Sequence, residues 1–279
     1  MNIPTLGQPR FASTRSHTIN DDLRIPERIE IGAEPGLQFE LAGPRAKLFF
    51  DPKQTRAGIV TCGGLCPGLN NVIRSLFLEL HYGYGVAEVL GFRGGYSGLD
   101  PAHGAEPVKI TPQFVDGIHQ RGGTIRGSSR GPVGIGAAVD NLIARGVNIL
   151  FTVGGDGTQR GANDLYQEAR RRGHPLSVVG VPKTIDNDVG FVSRTFGFFS
   201  AIEEAARVLD CAHTEACSVP GGIGLVKLMG RHAGFVTAGA TVASQDVNFA
   251  LIPEVPFELE AFLAALKQRM LAKSHAVIA

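Results

Sequence analysis

The sequence predicts an α/β protein of the doubly wound, three-layer kind, and two observations carry that expectation. Short apolar runs repeatedly end in glycine turns and pass into stretches of helical periodicity, the order that a parallel sheet with crossover helices requires. Glycine occurs 37 times in 279 residues, where average usage would give about 20, and tight strand-to-helix turns account for such an excess. The length suits one large or two ordinary domains with a sizeable core. With 27 basic against 26 acidic side chains and a formal charge of +1, net electrostatics favours neither a nucleic-acid nor a membrane partner. No apolar run approaches the roughly 18 residues of a membrane span. The N-terminus mixes Arg10 and Arg15 with Asp21, Asp22 and Glu27 in place of an apolar signal core, so a cytoplasmic setting is expected.

Taken in order, residues 1–50 hold Pro4, Pro9, Pro26, Pro35 and Pro44 with little periodicity, and read as an irregular extension. A strand over 57–62 then runs into the turn Gly63-Gly64-Leu65-Cys66-Pro67-Gly68 and an amphipathic helix to about Leu80. Strand, glycine turn and helix N-terminus together make an anion site. A second strand over 86–91 leads into the glycine-rich stretch 92–99, which contains Tyr96. The loop 122–131 places Arg126 and Arg130 beside small hydroxyl residues. A guanidinium there offers the permanently charged, forked donors that a polyphosphate requires, whereas Arg126 reads as a solvated or structural residue.

The chain is organised around residues 148–163, an apolar run ending in Gly154-Gly155-Asp156-Gly157-Thr158 and followed by a helical pattern to about Arg172. Such a turn aims backbone N–H groups at an anion, and its glycines let a phosphate reach the main chain. Asp156 is the one carboxylate there able to hold a divalent cation bridging phosphate oxygens. A strand over 177–181 then delivers Lys183, Thr184, Asp186 and Asp188. In an extended turn, alternation puts Thr184, Asp186 and Asp188 on one side and Ile185 and Asn187 on the other. The two carboxylates repel, and a nearby cation offsets that cost; the plainer alternative is an Asx-type turn capping the next helix.

Beyond it, 196–214 is expected to be a long helix, 222–228 a strand, and Met229-Gly230-Arg231-His232 the opening of another helix whose N-terminus suits a phosphate. A strand over 248–252, a helix over 258–273 and the start of a strand at 274 complete the pattern. The cluster Cys211, His213, Cys217 could in principle ligate zinc, but it falls in a helical pattern, and reduced structural thiols at all four cysteines are the better reading.

Gly154 to Thr158 followed by Pro182-Lys183-Thr184-Ile185-Asp186-Asn187-Asp188, with Met229-Gly230-Arg231 further on, resembles the ATP-dependent 6-phosphofructokinases, in particular their longer plant-like and bacterial group. The first motif by itself also occurs in NAD kinases and lipid kinases; the motifs together in this order are far more specific. The resemblance covers about 50–279 and implies two similar Rossmann-like lobes with the site between them: an extension over 1–50, a nucleotide lobe over 51–191 and a partial sugar-phosphate lobe over 192–279, the last incomplete as in a truncated chain. It implies transfer of the γ-phosphoryl of Mg-ATP to the 1-hydroxyl of fructose 6-phosphate in glycolysis, by a homo-oligomeric, dimeric or tetrameric, allosteric enzyme. Implied nucleotide contacts are Gly64, Arg130, Gly131, Gly155, Asp156, Gly157 and Thr158, with Asp156 also holding Mg2+. Asp186 is implied as the general base, supported by Lys183; Thr184, Asp186, Asp188, Met229, Gly230 and Arg231 would bind the substrate. Tyr96 resembles a residue near the nucleotide, and Arg74 one that binds effector phosphates in short bacterial members. Pyrophosphate-using relatives typically carry aspartate at position 157, where Gly157 leaves room for a nucleotide α-phosphate; Lys183 is typical of those relatives. The alternatives are thus a pyrophosphate-dependent phosphofructokinase and, since the last strand stops without a return helix, a non-catalytic nucleotide-binding remnant.

Overall fold

Continuous burial of one strand fixes the layout of the first part of the chain. The computed structural model describes residues 11–12, 24–26, 38–40, 43–129, 134–190 and 192–279. The chain divides into two compact units, Met1–Pro182 and Lys183–Ala279. The first begins with short strands β1 (Phe11–Ala12), β2 (Arg24–Pro26), β3 (Gln38–Glu40) and β4 (Lys47–Leu48), which form two separate antiparallel pairs, β1 with β4 and β2 with β3. Within the stretch expected to be irregular, the described strands therefore pair with one another.

The main elements follow as β5 (Arg56–Thr61), α1 (Leu69–Leu78), β6 (Glu88–Gly91), β7 (Val108–Lys109), α2 (Pro112–Val115), α3 (Ile135–Ala144), β8 (Ile149–Gly154), α4 (Asp156–Arg171) and β9 (Ser177–Pro182). They give one five-stranded sheet in the order β7-β6-β5-β8-β9, parallel except for β7 at its edge. Every residue of β5 after Arg56 is buried, as expected of a strand covered on both faces. Its neighbouring residues Ile59 and Val60 belong to different cores. Ile59 packs with Ile73 and Phe77 of α1 and with Val89 and Ile110. Val60 packs with Leu142 of α3, Leu150 of β8 and Leu165 of α4. Helices thus cover both faces, and the three-layer, doubly wound expectation holds for this unit. Because the chain leaves β5 for β6 on one side and reaches β8 on the other, strand order reverses at β5, and crevices open at the carboxyl ends of such strands.

The second unit comprises α5 (Phe198–Ser218), β10 (Gly222–Leu225), α6 (Phe235–Ser244), α7 (Leu259–Lys273) and β11 (His275–Ile278). Strands β10 and β11 pair in parallel, and Phe198, Leu209, Val236, Ala240 and Val277 form the core between these elements. Two expectations are corrected here. The strand expected over 248–252 is reduced to a single bridge from Phe249 to Ile278, because the Asn248 side-chain carbonyl takes the Val277 N–H at 3.0 Å, a donor a longer ladder would need. The strand expected to reach 228 ends at Leu225. Among the described residues, no helix is long and apolar enough to cross a membrane.

Truncating Leu150, fully buried in β8, to alanine should lower unfolding free energy by about 2–5 kcal/mol. Truncating Val179, 39% exposed on the adjacent strand, should cost well under half as much. Urea titrations of the two variants check the contrast.

Candidate functional site

The first glycine turn leaves the sheet under tight hydrogen-bond control. The Cys62 N–H donates to the Val153 carbonyl at 2.8 Å, extending the β5–β8 pairing past the end of β5, and the Gly63 N–H then turns away to the Ser129 carbonyl at 3.0 Å. Gly63 sits at φ 80 and Gly68, which starts α1, at φ 100, a region that glycine enters without steric cost. The loop 121–129 is tied to this turn from three sides. Thr61 donates to the Gly127 carbonyl at 3.0 Å, Ser128 donates to the Gly63 carbonyl at 2.5 Å, and buried Asn70 both donates to the Arg121 carbonyl and accepts from the Ile125 N–H. Between turn and loop lies a cleft of about 510 Å³ lined by Gly63, Gly64, Gly122, Gly123, Ser128 and Ser129 among others. Walls of glycine backbone and small hydroxyls leave main-chain N–H groups reachable by an anion. Arg130 and Gly131, the next residues, lie outside the described residues.

At the second turn, Gly155 is the N-cap of α4 and Asp156 stands exposed in its first turn. There a carboxylate is favoured by the helix dipole. Gly157 is exposed, and a Cβ added to it would meet nothing within 4 Å. Gly154 is the opposite case: a Cβ there would come within 2.1 Å of Thr158 Oγ1, so its glycine is a packing requirement, and Thr158 itself is buried. Gln159 Nε2 donates to the Gly154 carbonyl at 2.9 Å and the Val181 carbonyl at 3.3 Å, holding the turn against the end of β9. Tyr96 is buried, its hydroxyl donates to the Thr158 carbonyl at 2.6 Å, and its ring sits where a Cβ on Gly161 would be. Burial pushes its phenol well above the usual range. Tyr96 therefore positions α4 from beneath. Arg126 is also buried, its guanidinium 4.4 Å from the Phe114 ring centroid. Of the solvated and structural readings of this residue, burial leaves the structural one. Burial and the nearby Arg93 charge lower its pKa.

In the second unit, residues 183–190 depart from the expected extended alternation. Asn187 adopts φ 57, and its side-chain carbonyl accepts from the Thr195 N–H at 2.8 Å and the Thr195 hydroxyl at 3.2 Å, while its amide donates to the Ser193 carbonyl. Asparagine tolerates the left-handed region better than other side-chain-bearing residues, and here it pins the whole loop; the asparagine between two aspartates was the signal available. Thr184 donates to Asp188 at 2.5 Å and accepts from the Asp186 N–H at 3.1 Å, so the three residues do meet, through a turn. Lys183 is 7% exposed. The Asp186 carboxyl is held above the usual carboxylate range by burial first, then by the Asp188 charge, against the lowering influence of Lys183. Its Oδ1 is buried without a hydrogen-bond partner among the described residues.

Met229, Gly230 and Arg231 do not open a helix. They lie on the loop before α6, which starts at Phe235 and whose N-cap Gly234 N–H is taken by Glu254 at 2.7 Å. Gly230 has φ 115, and a Cβ on it would reach within 2.2 Å of the Ala233 carbonyl. Met229 and Arg231 are exposed. Cys62 and Cys66 are buried, as structural thiols should be, whereas Cys211 and Cys217 are exposed.

Residues 56–279 match the family model described as Phosphofructokinase. ATP-dependent 6-phosphofructokinase 7 of Arabidopsis thaliana is 43% identical over 280 residues, covering 99% of this chain and 57% of that protein. The ATP-dependent 6-phosphofructokinase of Trypanosoma cruzi is 50% identical over 239 residues, covering 86% of this chain and 49% of that protein. Among solved structures, phosphofructokinase from Pichia pastoris in the T-state superposes with a TM-score of 0.70 at 25% identity, over 86% of this chain and 28% of that one. The chain belongs to the phosphofructokinase family, and it spans about half the length of the curated relatives it matches.

Replacing Asn187 with alanine removes three side-chain hydrogen bonds and leaves an alanine at positive φ, so stability should fall by about 1–3 kcal/mol. Thermal unfolding checks the size, and hydrogen exchange of the Thr195 amide checks the place.

Proposed function

We propose that the chain transfers the γ-phosphoryl of Mg-ATP to the 1-hydroxyl of fructose 6-phosphate, giving fructose 1,6-bisphosphate. The observation that carries this reading is Asp186: a carboxylate with one oxygen buried and without a partner, and a raised pKa, beside a buried lysine. Such an oxygen is suited to receive a proton from an incoming hydroxyl, and a carboxyl pushed toward neutrality is a better base than an ordinary aspartate. Thr184 and Asp188, hydrogen-bonded to each other, would hold the acceptor end of the sugar phosphate, with Met229, Gly230 and Arg231 as further contacts. Lys183 would lower the charge cost of the two aspartates and of the transferring group.

On the nucleotide side, the amides of Gly64, Gly155 and Gly157 would receive the phosphates, with Arg130 and Gly131, next after Ser129 in the sequence, as further contacts. Thr158, whose own N–H donates to the Gly155 carbonyl at 2.8 Å, would shape the turn that presents them. Asp156 fits a Mg2+ ligand, being an exposed carboxylate at the phosphate-facing end of α4 with no hydrogen bond or ion pair to another described residue. Held by Asp156, Mg2+ would supply positive charge that offsets the charge of the phosphates. The residues' share of catalysis is positioning and charge neutralisation, with Asp186 taking the proton. We extend the reading to a homo-oligomer, dimeric or tetrameric and allosteric, in the cytoplasm, which sedimentation and fractionation would check.

A pyrophosphate donor is favoured by the buried Lys183 and opposed by Gly157, whose open surroundings leave room for a nucleotide. Both relatives named above carry ATP dependence in their names. Purified chain assayed with fructose 6-phosphate should turn over Mg-ATP and not Mg-pyrophosphate, and Asp186→Asn should cost about 10²–10⁴-fold in kcat. Pyrophosphate-only turnover reverses the donor; no turnover with either, alongside retained ATP binding, makes the chain a nucleotide-binding remnant. Gly157→Asp should not lower the melting temperature while sharply weakening ATP use, because a Cβ there meets nothing within 4 Å and the new carboxylate would repel the α-phosphate.

The base acts ionised, so activity is lost as pH falls through the Asp186 pKa, which lies above the ordinary aspartate value. Asp188→Asn removes a raising charge and should move the acid limb of kcat/KM to lower pH. Lys183→Met removes a lowering charge and should move it to higher pH.

A further inference from the structure

A second cluster of chemistry-bearing side chains lies in the second unit, far along the sequence from 183–188, and the proposed phosphoryl transfer uses none of it. His213 and Cys217 are four residues apart on α5, one turn, so they share a helix face. His275, the first residue of β11, meets them there, and one ligand atom from each of the three lies within 4.8 Å of the others. The imidazole rings of His213 and His275 are 5.5 Å apart between centroids. Cys211, two residues from His213 and hence on another face of α5, is not in the group; His275 takes the place that the sequence cluster gave it.

The surroundings of both histidines single out the same ring nitrogen. His213 Nδ1 lies 3.1 Å from Asp246 Oδ2, and His275 Nδ1 lies 3.0 Å from the Lys273 carbonyl. A carboxylate and a carbonyl only accept, so each Nδ1 carries a proton and Nε2 is the ring nitrogen left to serve as a ligand. A carboxylate or main-chain carbonyl on the far nitrogen is the outer shell that metal-bound histidines use to fix tautomer and orientation. Cys217 is exposed and in no disulfide, able to supply a thiolate. One contact opposes the arrangement: Arg269 Nη2 stands 3.5 Å from His275 Nε2, while its Nε donates to the His275 carbonyl at 3.2 Å. The longer contact is at the limit of a hydrogen bond and is the one an ion would displace.

We infer that His213, Cys217 and His275 form a three-ligand site for a divalent transition-metal ion, Zn2+ by its donor chemistry, with Asp246 as positioning residue and the fourth position open to water. Two imidazoles and a thiolate suit zinc and its borderline neighbours and do not suit Mg2+ or Ca2+. Zn–N bonds near 2.1 Å and a Zn–S bond near 2.3 Å place tetrahedral ligands roughly 3.3–3.8 Å apart, so the present spacing closes by side-chain rotation of about an ångström. Such an ion would fasten the C-terminal part of α5 to the start of β11, where the Gly221 N–H already donates to the Ser274 carbonyl at 3.1 Å.

The test is a Co2+ titration of the chelator-treated 279-residue chain, followed by displacement with Zn2+. One equivalent of Co2+ should give a thiolate-to-metal charge-transfer band that Zn2+ abolishes, and Zn2+ should raise the melting temperature. The band should vanish in Cys217→Ser, an exposed position that does not disturb the core, and persist in Cys211→Ser. His213→Gln and His275→Gln should lose tight binding, and Asp246→Asn should weaken it by about 10–100-fold. Arg269→Gln should tighten it, since a competing donor and a positive charge are removed. Absence of saturable binding, a band that survives Cys217→Ser, or one that disappears in Cys211→Ser would overturn the assignment.

Discussion

One hydrogen bond past the end of β5 decides how the first unit presents its glycines. The Cys62 amide continues the pairing with β8, and the next amide, that of Gly63, leaves the sheet for Ser129. Because β5 is buried on both faces and paired on both edges, its chain can turn only at its carboxyl end, and it turns where β8 also ends. Two glycine turns therefore come out of one side of one sheet. The loop carrying Ser128 and Ser129 is held against the first by the side chains of Thr61, Asn70 and Ser128.

Most of that layout was legible in the sequence. The strands at β5, β8 and β9 and the helix α4 follow from apolar runs and periodicity, and the glycine turns from composition. What was not legible shares one cause: local pattern says nothing about which side chain a backbone group finds. Alternation predicts Thr184, Asp186 and Asp188 side by side in an extended segment, but Asn187 can reach Thr195, and that tertiary bond bends the loop. The start of α6 is set by Glu254, twenty residues away, and so Met229 to Arg231 fall outside the helix. Tyr96 and Gly161, far apart in sequence, prove to be one packing contact. In the histidine and cysteine cluster, sequence proximity suggested Cys211, whereas helix geometry and a strand from the far end supply His275.

Buried charge is the other theme. Arg126 keeps its guanidinium over an aromatic ring, and Lys183, the first residue of the second unit, is buried. Each lowers stability relative to an apolar residue of similar size unless its surroundings compensate. For Arg126 the compensation is visible in Phe114; for Lys183 it includes the Asp186 and Asp188 carboxylates that share its loop, whose mutual repulsion it also relieves. Removing Lys183 would therefore leave both carboxylates less well matched, whereas removing either carboxylate would relieve the other.

Gly157 shows what the fold does not require. Its backbone is not in the left-handed region and a Cβ there would meet nothing within 4 Å, so neither the backbone conformation nor close packing holds a glycine at this place. By helix propensity almost any other residue would be more stable, and an aspartate in the first turn more stable still. A search for thermostable variants would therefore drift toward replacing it at once. On the proposed reading of the site, the glycine gives up stability to leave room for a ligand.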